Sequence, residues 1–96
     1  MENYKFYRTR TINLKLILEE LETDLKYSLI LNTSIGPGVE ECIREDWQDY
    51  DVICGKIKTL WDLGFITESE YSSIRRYFSS MVEIAIEDLK RTKGGK

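Results

Sequence analysis

Apolar residues recur along this chain at helical spacing in three stretches. Across residues 11–32, Leu14, Ile17, Leu18, Leu21, Leu25 and Leu29 fall on one broad face when wound at about 100° per residue, the pattern of a core-facing helix. Asn32, Thr33 and Ser34 lead from there into Gly36-Pro37-Gly38. The proline lacks a backbone donor and restricts the residue before it, so the helix stops. Across residues 39–63 the same period collects Val39, Cys42, Ile43, Trp47, Tyr50, Ile53, Cys54, Ile57, Leu60 and Trp61. Across residues 68–91 it collects Tyr71, Ile74, Phe78, Met81, Val82, Ala85 and Leu89, with Lys90, Arg91 and Lys93 at the negative end of the helix dipole.

The junction between the second and third stretches carries the sharpest local signal. Gly64 stands where a left-handed C-terminal cap is wanted, Phe65 and Ile66 make a short apolar plug, and Thr67 with Glu70 spells a capping box. The run Trp61-Asp62-Leu63-Gly64-Phe65-Ile66-Thr67-Glu68-Ser69-Glu70-Tyr71 resembles a helix-to-helix connector of many small bacterial and phage proteins. The resemblance implies a corner, not an activity. Long helices with short connectors are antiparallel neighbours. The pattern therefore predicts an all-α fold, a single domain over 1–96 built as an antiparallel three-helix bundle. Residues 1–10 are either an arm or an extension of the first helix, and 92–96 form a frayed tail.

Composition narrows the function more than the fold. At 96 residues, 42% hydrophobic and 32% charged, the chain builds one modest core and no large internal cavity, which counts against a deep substrate pocket. Its apolar runs last only a few residues and no leader pattern opens it, so no membrane span and a cytoplasmic location are expected. On one helix, Cys42 and Cys54 would lie about 18 Å apart along the axis, too far for a disulfide, and read as small core residues.

No histidine is present, which removes the commonest general base, the Ser-His and Cys-His pairs and imidazole metal ligands. Two isolated cysteines do not make a zinc site, and the glycines match no phosphate-cradling pattern. No catalytic residue, metal or cofactor is expected. The protein reads as a non-enzyme.

Charge is segregated. Residues 1–18 carry Lys5, Arg8, Arg10 and Lys15 against Glu2, whereas residues 19–51 are acidic with only Lys26 and Arg44 set against them. That acidic block disfavours nucleic acid by net field. Glu41, Glu45 and Asp49 form a stripe on the second helix: a solvated face, or a docking surface for a basic protein partner. Asp46 falls inside the apolar arc of that helix, which calls for a cation such as Arg75 or Arg76, or else marks a partner-binding acid at the arc's rim.

Two apolar sets exceed the needs of a bundle. Ile12, Leu16, Tyr27 and Ile30 line the far side of the first helix, either buried between two neighbours or serving as a homodimer or partner face. Tyr77 and Ile84 stand off the main face of the third helix, covered by the N-terminal arm or free for a protein contact. The basic-aromatic start, with Lys5, Arg8 and Arg10 among Tyr4, Phe6 and Tyr7, packs on the bundle or acts as a nucleic-acid arm. The expected function is a protein-binding module: a small inhibitor or adaptor of a larger protein or nucleoprotein assembly, of the mobile-element or phage kind by analogy. It would act through the acidic face. The competing expectation is a dimeric nucleic-acid-associated transcriptional regulator using the basic arm.

Overall fold

The computed structural model describes the backbone of residues 2–35 and 38–94 and the side chains of residues 14–34 and 38–92. Three helices follow one another: α1 (Glu2–Ile35), α2 (Val39–Asp62) and α3 (Glu68–Leu89), the last running into a π-helical turn, Lys90–Gly94. They pack into an all-α three-helix bundle, with no strand among the described residues. Both α1 and α3 lie closest to α2 and touch each other least.

One face of each helix supplies the core. Leu21, Leu25 and Leu29 of α1 meet Ile53, Ile57 and Leu60 of α2 and Phe78, Val82 and Ile86 of α3, with Ile66 from the corner. Ile57 and Val82 are fully enclosed. Ile86 joins this core although it lay outside the apolar set expected for α3. Ile17, expected inside, is 38% exposed at the open edge of α1. Cys42 is buried and Cys54 half-buried, and no disulfide joins them.

The α2–α3 corner forms as its sequence dictates. Gly64 takes φ 82°, a region open to glycine at no steric cost. Its N–H donates to the Trp61 carbonyl and that of Phe65 to the Leu60 carbonyl, each at 2.9 Å, which is the Schellman pair that closes a helix end. Ile66 plugs the core beneath. Thr67 Oγ1 then accepts from the Glu70 N–H at 3.1 Å, while Glu70 Oε1 accepts from the Thr67 N–H at 2.8 Å. Stacking of Trp61 on Tyr71, ring centres 4.8 Å apart, braces the corner from outside.

Of the two readings open for the N-terminal residues, an arm or an extension of the first helix, the structure shows the extension: α1 begins at Glu2. Residues 2–10 have no core stripe to signal a helix, yet the backbone continues through them as one. Residues 92–94, expected in a frayed tail, belong to the π turn, where Thr92 Oγ1 donates to the Asp88 carbonyl at 3.0 Å.

α1 outruns its partners. Its 34 residues span about 51 Å against about 36 Å for the 24 of α2. The C-terminal end of α1 is level with the start of α2, where Asn32 meets Asp46. At the other end Lys15 and Leu18 share a cavity with Ser73 and Ile74, one turn inside α3. Roughly ten residues of α1, about 15 Å, therefore project past the corner with no other described element alongside.

Candidate functional site

Sequence reasoning kept the exposed residues of α1 and α3 apart; the fold joins them. Because α1 and α3 approach each other least, a groove runs between them for about 22 Å, from the level of Lys15 to that of Ile30. It holds two cavities. One, of about 310 Å³, lies between Leu18 and Glu22 of α1 and Ile74 and Tyr77 of α3. The other, of about 430 Å³, has Leu29, Met81 and Ala85 below and Ile30 and Ile84 at its lips.

The lips are apolar and open to solvent: Ile30 is 65% exposed and Ile84 69%. Charges line the same edges, with Lys15, Glu22 and Lys26 on α1 and Glu87, Asp88 and Arg91 on α3. The Tyr77 hydroxyl donates across the groove to the Glu22 carboxylate. That bond, ahead of burial and the nearby negative charge, raises the phenol above its usual pKa. Tyr77 thus bridges the two helices at one end of the groove while the other end stays apolar.

Leu16 and Tyr27, 53% and 66% exposed, stand further round α1 on its outer side. Neither α2 nor α3 covers the far stripe of α1, so the expectation of a helix buried on both sides fails for Leu16, Tyr27 and Ile30. Tyr77 and Ile84 are likewise exposed; the N-terminal residues from Glu2 continue α1 as helix and form no separate arm. The side chains of Ile12, Lys5, Arg8 and Arg10 lie outside those described.

On the other side of the bundle the acidic stripe of α2 divides into different environments. Glu41 forms an ion pair with Arg44 at 2.9 Å, one turn on. Glu45 is half-buried. Asp46 and Asp49 turn inward to a single amide: Asn32 Nδ2 donates to Asp46 Oδ1 and to Asp49 Oδ2, each at 2.9 Å. Asp46 is 1% exposed, and its second oxygen, Oδ2, has no hydrogen-bond partner. Burial, partly offset by the Asn32 bond and reinforced by the charges of Asp49 and Glu45, raises its carboxyl above the usual range.

Two expectations for Asp46 are therefore corrected. It is not a partner-binding acid at a rim, because a sealed carboxylate cannot reach a partner. Nor does it meet Arg75 or Arg76: both are exposed, and the Arg75 backbone carbonyl instead accepts from the Tyr50 hydroxyl at 3.4 Å. The residue missed was Asn32. It sits seven places after Leu25 and three after Leu29, so it continues the apolar stripe of α1 as a polar member, and that position was the available signal.

Chemically, the two regions offer different things. The cluster around Asn32 is closed to solvent at Asp46 and ties α1 to α2. The groove offers an apolar floor with charged edges, which suits an amphipathic helix anchored at successive turns. No helix among the described residues is long and apolar enough to cross a membrane. No protein-family model, curated protein or solved structure matches the chain.

Proposed function

We propose that the protein is a non-enzymatic binding module, of inhibitor or adaptor type, that receives an amphipathic helix of a protein partner in the groove between α1 and α3. The observation that carries this reading is the pairing of Ile30 and Ile84. Two large apolar side chains from different helices line one cavity of about 430 Å³ and stay about two-thirds exposed. Contiguous exposed apolar surface rimmed by charge is the signature of an interface. Burying both side chains in a complex contributes roughly 2–4 kcal/mol, enough to matter at micromolar affinity. The acidic face of α2 is the weaker choice, since Asp46 is sealed, Asp49 is held by Asn32 and Glu41 by Arg44.

The test is capture from an extract of the source cell or its host, followed by lysine cross-linking and mass spectrometry. The expected result is cross-links from Lys15 and Lys26, on the groove edge, and loss of capture with the Ile30→Asp, Ile84→Asp double variant. Glu41→Lys with Glu45→Lys should leave capture unchanged. The reverse pattern would return the function to the acidic face. Recovery of nucleic acid alone, in a salt-sensitive manner, would replace the reading by a nucleic-acid-associated one.

A further inference from the structure

We propose that a cavity between α2 and the middle of α3 binds the phosphate group of a phosphate monoester. It lies away from the α1–α3 groove and encloses about 300 Å³ between Tyr50 of α2 and Ser72, Arg75, Arg76 and Ser79 of α3. No carboxylate and no aliphatic side chain lines it.

The sequence leaves these two arginines without acids. Every residue three or four places from Arg76 is a serine: Ser72, Ser73, Ser79 and Ser80. Those at the same distance from Arg75 are Tyr71, Ser72, Phe78 and Ser79. Arg44 and Arg91, by contrast, are paired with Glu41 and Asp88, one turn before each on the same helix. Neither Arg75 nor Arg76 forms an ion pair among the described residues. In a chain with 17 acids against 14 cations, two adjacent arginines in one cavity thus keep their charge unanswered.

The donors are also gathered and held. At 3.6 residues per turn, Ser72, Arg75, Arg76 and Ser79 share an arc of α3 about 100° wide and about 10 Å long. The Tyr50 hydroxyl donates to the Arg75 carbonyl at 3.4 Å, which ties the α2 wall to α3 at the centre of the cavity. The Arg75 guanidinium lies over the Tyr71 ring, 5.6 Å from its centre, and Tyr71 in turn stacks on Trp61. A guanidinium placed over a ring keeps its edge N–H groups for a fork of hydrogen bonds to two oxygens.

These groups discriminate between anions. A phosphate monoester carries a charge of about −1.5 to −2 at pH 7 and three strong acceptor oxygens, which matches two guanidiniums flanked by two serine hydroxyls. A carboxylate would leave one positive charge unanswered. A nucleic-acid backbone calls for a row of cations, yet Glu68 and Glu83 stand about one turn beyond either end of the same arc. The site therefore suits one dianion, not a polyanion. The monoester is either a free small molecule or a phosphorylated side chain of a protein, and the group recognised is the same.

Titration of the full chain with inorganic phosphate at low salt, followed by NMR of the arginine Nε–H groups, tests this. Saturable shifts are expected at Arg75 and Arg76 but not at Arg44 or Arg91, with a dissociation constant on the order of 0.1–1 mM. Acetate should bind at least about tenfold more weakly. Arg75→Gln and Arg76→Gln should each weaken phosphate binding at least about tenfold, and lysine at either position should restore only part, since an ammonium keeps the charge and loses the fork. Lys56→Gln, outside the cavity, should leave binding unchanged. Both arginines are exposed, so helical circular dichroism should be the same in every variant. Glycerol phosphate and a serine-phosphorylated peptide then separate the two sources. A peptide bound at least about ten times more tightly places the phosphate on a protein, and equal binding places it on a small molecule. The proposal is overturned by the absence of saturable shifts at Arg75 and Arg76, by equal shifts at Arg44 and Arg91 or with acetate, or by binding that survives both glutamine substitutions.

Discussion

Replacing Asp46 by asparagine should stabilise this protein at neutral pH. Asp46 is 1% exposed, accepts one hydrogen bond from Asn32 and leaves Oδ2 without a partner, beside the charges of Asp49 and Glu45. Holding an ionised carboxylate there costs several kcal/mol of lost hydration, and one charge-assisted bond returns only about 1.5–3 kcal/mol. Asparagine keeps the acceptor for Asn32 and the shape. It weakens that bond by about 1 kcal/mol and leaves a neutral amide group in place of an unpaired charge. The expected net gain is about 1–2 kcal/mol at pH 7. For a domain of this size, each kcal/mol raises Tm by roughly 4–8 °C.

The pH dependence supplies the sharper check. Because the folded carboxyl titrates above its unfolded value of 3.8, the folded state holds the proton more tightly. The stability tied to that proton is fully present below the unfolded value and is lost as pH rises through the folded one. Urea unfolding of wild type and Asp46→Asn across pH 3–8 isolates this group, since every other acid is common to both. The gap between them should be widest at neutral pH and close on acidification. A variant less stable than wild type at pH 7, or a gap that does not change with pH, would refute the account of Asp46 as an under-compensated buried charge.

Three further outcomes are expected. Asn32→Ala removes the only hydrogen-bond donor to the Asp46 side chain among the described residues and should cost about 2–4 kcal/mol at neutral pH, with part of the loss recovered in acid, as measured by the same unfolding curves. Thr67→Ala breaks the capping box and should cost about 1 kcal/mol, read as a Tm drop of roughly 4–8 °C by circular dichroism. Ile57→Ala empties a fully enclosed core position and should cost about 2–5 kcal/mol, whereas Ile84→Ala, 69% exposed, should change thermal stability by under about 0.5 kcal/mol.

The architecture was legible where local chemistry and periodicity agreed. The corner at Gly64, Ile66, Thr67 and Glu70 formed as its residues dictate, because each device there acts over three or four residues. The start of α1 was only half legible: residues 1–10 bring aromatic and basic types with no apolar stripe to mark a helix, which left an arm and a helical extension equally open. Asp46 reads from spacing alone as an acid inside an apolar arc, but its partner lies on α1 and not on α3. Side-chain spacing fixes which face of a helix turns inward and says nothing about which neighbour meets it. The groove shows the same gap. Ile30 and Ile84 each stood out as surplus on its own helix, and only the splay between α1 and α3 made them one surface.

The amide of Asn32 also decides how α1 and α2 are aligned. Leucines and isoleucines at regular intervals tolerate sliding, since a shift by one turn along the axis again sets apolar against apolar. Asn32 does not tolerate it: moved one turn, about 5.4 Å, it would lose both carboxylates and leave Asp46 wholly unsolvated and unbonded. A lone polar contact in an apolar seam is the best-attested way for helices to select one register at some cost in stability. Fully apolar residues at 32 and 46 would then make a tighter hairpin that no longer knows where to stop sliding.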